Sequence, residues 1–234
     1  MKHLRIREPL DLHRLFEVYR SRDGLGWFFR GQADSSWELL PKAGRPTFNN
    51  GRDLGRFKHW CDRAVACREL PDSVWERLVI AQHYGLATRL LDWTFNPLVA
   101  CFFAVADLPD IDGAVYAHFP TRFIDQSEQS IERIDLVAGL IPRAIDIRIL
   151  RQAGGFTVHP RPAEPLAAED LQKPLSGLSL VKIEIPCDLK GAVREMLENY
   201  GVNYSALFPD LDGLSRQTNW RTSEMVRTSN KRPK

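Results

Sequence analysis

Residues 82–105 read QHYGLATRLLDWTFNPLVACFFAV and join two different kinds of sequence. The first part, from Gln82 to Thr94, is dense in polar side chains and has no clean period. Asn96 and Pro97 then form a helix start signal, an N-cap residue followed by the residue favoured at the first helical position. The run LVACFFAVA that follows is apolar nearly all round. It predicts a helix in the middle of the core, with a polar segment at its N-terminus.

Helix and strand signals lie on both sides of this stretch. Upstream, helices are predicted to open at Pro9, at Asp53 and at Asp72 or Ser73, and a short buried strand covers 27–30. Downstream, the predicted elements are strands at 113–119 and 178–185, a strand or loop pair at 148–159, a helix at 188–200 and a helical hook at 203–214. Because these elements do not alternate as regular βαβ units, the fold class is α+β. We expect a single domain with a mixed or antiparallel sheet and flanking helices.

Composition supports a globular protein. Of the 234 residues, 44% are hydrophobic and 26% are charged, which excludes collagen, wholesale disorder and a membrane bundle. The longest apolar run, Leu98–Ala106, is shorter than the roughly 20 residues that span a bilayer, so no membrane association is expected. The four cysteines have no paired spacing, and the N-terminus lacks an apolar signal core. We therefore expect a cytoplasmic protein with reduced thiols.

The basic residues are unevenly placed. The net charge is only +2, but residues 215–234 hold six Lys and Arg side chains against a single acid, Glu224. Such a tail is predicted to be solvated and partly frayed, and contact with nucleic acid is the functional alternative. We therefore separate a domain at 1–214 from a basic tail at 215–234. Within the domain, 160–177 contains several prolines and is predicted to be an inserted flap.

Arg30 stands at the end of the predicted strand, in Phe28-Phe29-Arg30-Gly31-Gln32. A guanidinium flanked by aromatic residues loses hydration unless an anion or a carboxylate meets it. Guanidinium recognises phosphate or carboxylate with two parallel hydrogen bonds, and glycine allows a close approach by another backbone or a ligand. The structural alternative is a salt bridge to one of three nearby acids: Asp34, Glu38 or Asp92.

Two other segments offer polar side chains. The polar side chains of residues 82–94 are predicted to bind an anion at the start of the core helix, where free N–H groups and the positive end of the helix dipole lie. Alternatively they are structural, with successive caps at Asp92, Thr94 and Asn96 and a local Arg89–Asp92 ion pair. Residues 148–159 suggest a hairpin edge across Gly154-Gly155, with Arg151 and Gln152 near the bend.

Several familiar sites are not supported. His59, Cys61 and Cys67 fall on different sides of one predicted helix, so no metal site is expected. Asp210 and Asp212 lack the continuation of an EF-hand loop, so a turn is expected there. No phosphate-binding glycine motif and no nucleophile elbow is present.

Four motifs in order resemble the FRG domain, a family named for its Phe-Arg-Gly motif and found mostly in bacteria and phages. Each is quoted as it stands in this chain: Phe29-Arg30-Gly31 with Trp37-x-Leu39-Leu40-Pro41; residues 82–105; Arg148-x-x-x-Gln152-x-x-Gly155-Phe156-Thr157; and LFPDLDGL at 207–214. The motif core runs over 27–214. Ala87 is a departure, since the family motif tends to have proline there.

The chain is also distantly similar to ADP-ribosyltransferases of the Arg–Ser–Glu type, which open with an aromatic-Arg-Gly strand. Asp92-Trp93-Thr94 followed by Pro97-x-x-Ala100-x-Phe102-Phe103-Ala104 looks like their second motif. This resemblance implies an ADP-ribosyltransferase-like fold with Arg30 on an NAD phosphate and Thr94, with Asp92, at the nicotinamide-side ribose. The third motif ends in glutamate in that family, but the matching stretch here offers Asp146, Arg148 and Gln152, and Glu184 on a later strand is predicted to face outward.

The resulting hypothesis is an NAD-binding effector, a toxin or a phage-defence protein, acting as an ADP-ribosyltransferase or an NAD glycohydrolase. The catalytic candidates are His83, Asp92 and Gln152. His83 is the candidate for proton transfer, because histidine titrates near neutrality. The candidates for binding NAD are Arg30, Gln32, Gln82, Arg89, Thr94 and Arg151. The alternative is a module that binds a nucleotide or a nucleic acid without catalysis.

Overall fold

The computed structural model describes residues 1–19, 26–143, 147–167 and 180–231. These residues form an α+β fold around one seven-stranded mixed sheet of order β1-β7-β4-β2-β3-β6-β5. The strands are β1 (Lys2–Arg5), β2 (Phe28–Gln32), β3 (Leu90–Thr94), β4 (Gly113–His118), β5 (Ala138–Leu140), β6 (Gly154–Val158) and β7 (Leu180–Ile185). The helices are α1 (Asp11–Val18), α2 (Asp53–Ala64), α3 (Val74–His83), α4 (Pro97–Val105), α5 (Ile147–Arg151), α6 (Cys187–Asn199), α7 (Tyr204–Leu207) and α8 (Leu211–Lys231). Only β1 and β7 pair in parallel; the other neighbouring strands are antiparallel.

The core is divided into three clusters by the sheet. One cluster joins α1, α4 and α6 to strands β2, β4 and β7, and includes Phe29, Phe102 and Ile183. A second joins α2 and α3 to β3, β5 and β6 around Trp75. The third lies on the opposite face of the sheet, where loop residues such as Leu39 cover β2, β3 and β4. The two helical clusters therefore lie over different halves of the sheet.

The neighbouring strands β2 and β3 near the middle of the sheet are paired over only a short length. β2 pairs with β4 along its whole length, and β3 pairs with β6 in the same way. β2 and β3 themselves pair only at Phe29 and Thr94. Arg30 and Asp92 therefore lie where the two strands part.

Helix α4 follows the sequence prediction closely. Pro97 is its first residue, and the Asn96 side chain accepts a hydrogen bond from the backbone N–H of Leu98 at 2.9 Å. The helix packs so closely on β2 that a Cβ atom at Gly31 would overlap the carbonyl oxygen of Ala100 and lie 2.7 Å from the Ala104 nitrogen. The glycine after Arg30 thus permits close backbone approach, as predicted, and the approaching backbone is that of α4.

Other sequence predictions need correction. The segment before Gly154 is helix α5 rather than the first strand of a hairpin, and residues 211–231 form helix α8 rather than a frayed tail. β1, β3 and β5 had no clear sequence signal. The flap at 160–177 is described only as far as residue 167, where Leu166 donates its backbone N–H to the carbonyl of Leu39 at 2.9 Å. Within the described ranges, no helix combines the length and apolar character needed to cross a membrane.

Candidate functional site

A cavity of about 320 Å³ opens where β2 and β3 part. Its walls come from both strands, from α4 and from the segments around α5 and α7. The lining residues are Phe29, Arg30, Gly31, Asp92, Trp93, Thr94, Phe103, Gln152 and Phe208. Four of the predicted site residues, Arg30, Asp92, Thr94 and Gln152, are therefore brought together here.

Arg30 is fixed at the gap by Asp92. Its Nη1 donates to the backbone carbonyl of Asp92 at 2.8 Å and lies 3.7 Å from the Asp92 carboxylate, and its side chain is only 15% exposed. Its Nε is buried, and neither Nε nor Nη2 has a hydrogen-bond partner among the described residues. Burial lowers the pKa of the guanidinium, the charge of Asp92 opposes this shift, and Arg45 adds to it. Of the three acids considered from the sequence, Asp92 is the ion-pair partner of Arg30, and part of the guanidinium remains available to an anion.

The Asp92 carboxylate is held from the other side by helix α3. Gln82 Nε2 donates to Asp92 Oδ1 at 2.9 Å and to the Leu90 carbonyl at 3.3 Å. The Thr88 hydroxyl donates to Gln82 Oε1 and so fixes the orientation of the amide. Gln82 does not line the cavity; it positions Asp92, whose side chain is 61% exposed.

Thr94 and Gln152 are linked across the cavity wall. The Thr94 hydroxyl donates to the Gln152 carbonyl at 2.6 Å and accepts the backbone N–H of Asn96 at 3.0 Å. Gln152 Nε2 donates to the Leu207 carbonyl at 3.2 Å. Since Asn96 also caps the Leu98 N–H, the first donors of α4 are satisfied within the chain. An anion in the cavity would therefore depend on Arg30 rather than on the helix N-terminus.

Arg89 has a structural partner and does not reach the cavity. It forms a buried, bidentate ion pair with Asp53: Nε donates to Oδ2 at 2.8 Å and Nη2 donates to Oδ1 at 3.2 Å. The local Arg89–Asp92 pair suggested by spacing is therefore wrong, because the acid that meets Arg89 comes from the first turn of α2. Glu184, the alternative carboxylate, forms an ion pair with Arg5 at the edge of the sheet.

Three further candidates do not line the 320 Å³ cavity. Gln32 lines a separate cavity of about 220 Å³ with Arg45, and its Nε2 donates to the Glu38 carbonyl at 3.2 Å. Arg151 is exposed at the end of α5. His83 ends α3 and lies edge-on to the Tyr84 ring, with centroids 5.1 Å apart. Their proposed roles stay predictions, and Asp146 lies outside the described residues.

The comparison with family models returns the FRG domain over residues 26–112. An FRG domain is present in this chain. Its match includes Arg30, Asp92, Thr94 and all of α4, and it stops before Gln152 and Phe208. No curated protein and no solved structure matches the chain. The FRG domain thus provides the strands and the core helix of the cavity, and the segment after residue 112 provides its remaining wall.

The cavity lining includes two aromatic residues that the sequence analysis did not select as site residues. Phe103 on α4 and Phe208 after α7 face each other edge-on, with ring centroids 6.1 Å apart. The Arg148 guanidinium lies 5.6 Å from the Phe208 centroid and also forms an ion pair with Asp210. Aromatic residues in an apolar helix are usually core residues, so nothing in the sequence pattern assigns Phe103 to a site. The sequence signal that could have identified Phe208 was its place in the LFPDLDGL motif at 207–214.

A series of buried hydrogen bonds links Trp93 on β3 to Thr157 on β6 and to His159, which follows β6. Trp93 Nε1 donates to the Thr157 hydroxyl oxygen at 2.9 Å, and the same oxygen lies 2.9 Å from His159 Nε2. The threonine hydroxyl accepts the indole N–H, and the direction of its bond with His159 is set by the tautomer of the imidazole. Burial lowers the pKa of His159 to about 3, and the charges of His118 and Arg30 act in the same direction. Within the described residues, no cluster of three or more metal-binding side chains is present.

Proposed function

We propose that the cavity between β2 and β3 binds NAD or a related nucleotide, with Arg30 as the phosphate anchor. The supporting observation is the position of Arg30: its guanidinium is held at the gap by the Asp92 carbonyl, while Nη2 remains available beside the cavity. A buried cation that is held by a carbonyl gains most from a ligand that carries negative charge.

The size and walls of the cavity suit one end of a dinucleotide. Ligand pockets commonly have volumes of roughly 300–1,000 Å³, so about 320 Å³ is at the small end of the range. It would enclose one nucleoside or nicotinamide riboside unit and leave the rest at the opening. Phe103 and Phe208 offer aromatic surface to a planar ring, and Asp92 and Thr94, which line the same cavity, would lie beside its sugar.

We further propose that the reaction is cleavage of the bond between nicotinamide and ribose, as an ADP-ribosyltransferase or an NAD glycohydrolase. Nicotinamide leaves with the bonding electron pair, and an acceptor or a water molecule adds to the sugar carbon and loses its proton. A carboxylate close to the sugar stabilises the developing positive charge. Asp92 is the one carboxylate among the described residues that line the cavity, so it takes the role that glutamate has in the transferase family.

The binding step is tested by calorimetric titration of NAD and ADP-ribose into three proteins. These are the wild type, Arg30→Gln and Arg14→Gln; the last removes an exposed guanidinium from α1 and serves as the matched control. Hydrogen bonds to charged groups contribute about 1.5–3 kcal/mol, so Arg30→Gln should weaken binding by about 10- to 150-fold. The control should bind like the wild type. Absence of binding by a folded wild type would overturn the proposal.

Thermal melting of Arg30→Gln separates binding from a purely structural role. A folded variant that has lost NAD binding supports the anchor role. Unfolding of the variant would mean that Arg30 holds the strands together, and Arg30→Lys, which keeps the charge and loses the planar fork, then becomes the informative variant.

The catalytic step is tested separately by measuring nicotinamide release with chromatography. Asp92→Asn should retain NAD binding and lose release, because the amide has the same shape and no charge. Binding without release in the wild type would exclude cleavage and favour the alternative, a module that recognises nucleotides without catalysis.

A further inference from the structure

The loop after β2 and helix α2 form a surface with many basic residues, here called the basic face. Residues 42–68 contain seven Lys and Arg side chains: Lys42, Arg45, Arg52, Arg56, Lys58, Arg63 and Arg68. The same stretch has two acids, of which Asp53 is buried in its ion pair with Arg89. Asp62 is therefore the one acid of this stretch that faces solvent. In a protein with a net charge of only +2, the basic face is a marked local excess of positive charge.

The basic side chains of this face are not neutralised by neighbouring acids. Within the described part of the chain, no ion pair involves the exposed members Arg45, Arg52, Lys58, Arg63 and Arg68. Several exposed arginines elsewhere do have an acidic partner, for example Arg14 with Asp11 on α1. Unpaired arginines in close proximity repel one another, and a polyanion removes that repulsion.

The geometry of α2 arranges part of this charge in a line. Arg52, Arg56 and Arg63 are spaced by four and seven residues, so they lie on one side of the helix over about 16 Å. Arg56 Nη1 donates to the Phe48 carbonyl at 2.8 Å and to Asn50 Oδ1 at 3.0 Å. These bonds fix the preceding loop against α2, which makes the basic face continuous from the loop to the helix.

Exposed aromatic side chains border the same face. Trp37 is 50% exposed and lines the 220 Å³ cavity together with Arg45 and Gln32, and the acid Glu38 and Leu40 complete the lining. Tyr84 is 62% exposed and adjoins Gly85, whose carbonyl accepts Lys42 Nζ at 2.8 Å. Aromatic platforms beside a basic groove are the combination that binds single-stranded nucleic acids, because bases stack on rings while cations follow the phosphates.

We propose that the basic face binds single-stranded nucleic acid, with arginines on the phosphates and a base stacked on Trp37. Arginine outnumbers lysine on the face, which favours phosphates that accept two parallel hydrogen bonds. An acidic membrane surface would use the charge but would not need a recess of about 220 Å³ lined by one exposed indole. The sequence had directed attention to the C-terminal segment instead, but there Arg216 pairs with Asp212 and Arg221 pairs with Glu198.

Fluorescence anisotropy with labelled 20-nucleotide RNA and DNA, single-stranded and duplex, tests this proposal. Five phosphate contacts predict a slope of log affinity against log salt concentration of roughly −3 to −4. Arg52→Gln/Arg63→Gln should lower affinity for single strands by about 10- to 30-fold at 0.1 M salt and reduce the slope by about 1.4. Arg216→Gln/Arg221→Gln on α8 removes the same charge and should stay within about twofold of the wild type. Thermal melting of both double variants verifies that they are folded.

Trp37→Ala separates stacking from charge. It should weaken single-strand binding by about tenfold or more and leave the salt slope unchanged. Three results would overturn the proposal: no binding of single strands at low salt, equal losses in the α2 and α8 double variants, or tighter binding to duplex that Trp37→Ala does not affect. Binding to vesicles rich in anionic lipid, without binding to nucleic acid, would instead assign the face to a membrane surface. Comparison of the affinities for single-stranded RNA and single-stranded DNA identifies which nucleic acid the face prefers.

Discussion

The glycine that follows Arg30 gives the sharpest test of how the cavity is built. In Gly31→Ala, the new methyl group would overlap the Ala100 carbonyl and lie 2.7 Å from the Ala104 nitrogen, whereas ordinary contacts of a Cβ atom begin at 3.4 Å. Both obstacles are main-chain atoms of α4, so no side-chain rotation relieves them. The helix and the strand must move apart, and that movement also shifts Arg30 relative to the cavity.

The expected cost can be estimated from known overpacking effects. Adding a methyl group to a close-packed interior costs typically 1–3 kcal/mol, and a main-chain obstacle places Gly31→Ala at about 3 kcal/mol. For a domain of this size, that corresponds to a fall in melting temperature of about 6–12 °C. Gly55→Ala in α2 is the matched control, because nothing lies within 4 Å of its Cβ position. It should raise stability by about 0.5–1 kcal/mol, since alanine is favoured over glycine within a helix.

Scanning calorimetry of the wild type and both variants provides the measurement. We expect Gly31→Ala to melt well below the wild type and Gly55→Ala to melt at or above it. If Gly31→Ala melted within 1–2 °C of the wild type, that small change would show that α4 is not pressed against β2 as described, and the geometry of the cavity would be in error.

Three further outcomes follow from buried polar groups. Because the pKa of His159 is lowered to about 3 from 6.5, the unfolded chain takes up a proton below pH 6.5 that the folded protein does not. Stability is thus complete above pH 6.5 and falls towards pH 3 by up to about 1.4 kcal/mol per pH unit, a slope that denaturant titrations should find reduced in His159→Asn. Lys190→Met leaves the carbonyls of Ala33, Asp107 and Leu108 without their shared donor and should cost about 3 kcal/mol or more in urea unfolding; an unchanged midpoint would refute the role of this lysine. Arg89→Met leaves a buried Asp53 carboxylate and should cost about 3–5 kcal/mol, and joint replacement with Asp53→Leu should recover part of that loss, which a double-mutant cycle would detect.

The sequence predicted the elements whose signals are local. Asn96 and Pro97 located the start of α4, and Ser73 located the start of α3, because a cap and its helix are neighbours in the chain. β3 had no such signal. Four of its five residues are buried, on both faces of the sheet, so the alternation of apolar and polar residues that marks a half-exposed strand is missing.

In the candidate site too, contacts between residues far apart in the sequence were harder to predict than features carried by one short segment. The proximity of Arg30 and Asp92 was one of the alternatives drawn from the sequence, and the structure confirms it. The partner of Arg89 was missed, since Asp53 lies 36 residues away and only the packing of α2 on the sheet brings it close. The basic face was missed for a related reason. Residues 42–68 carry seven basic side chains and two acids in the sequence, but only the structure shows that Asp53 is buried and that most of the basic side chains are exposed on one surface.

The central claim is that a negatively charged ligand meets Arg30 in the cavity between β2 and β3. A crystal structure of the protein with ADP-ribose tests it most directly. The expected result is a phosphate oxygen at about 3 Å from Arg30 Nη2, with a ring against Phe103 and Phe208. A ligand bound elsewhere, with Arg30 still directed only to Asp92, would contradict the account.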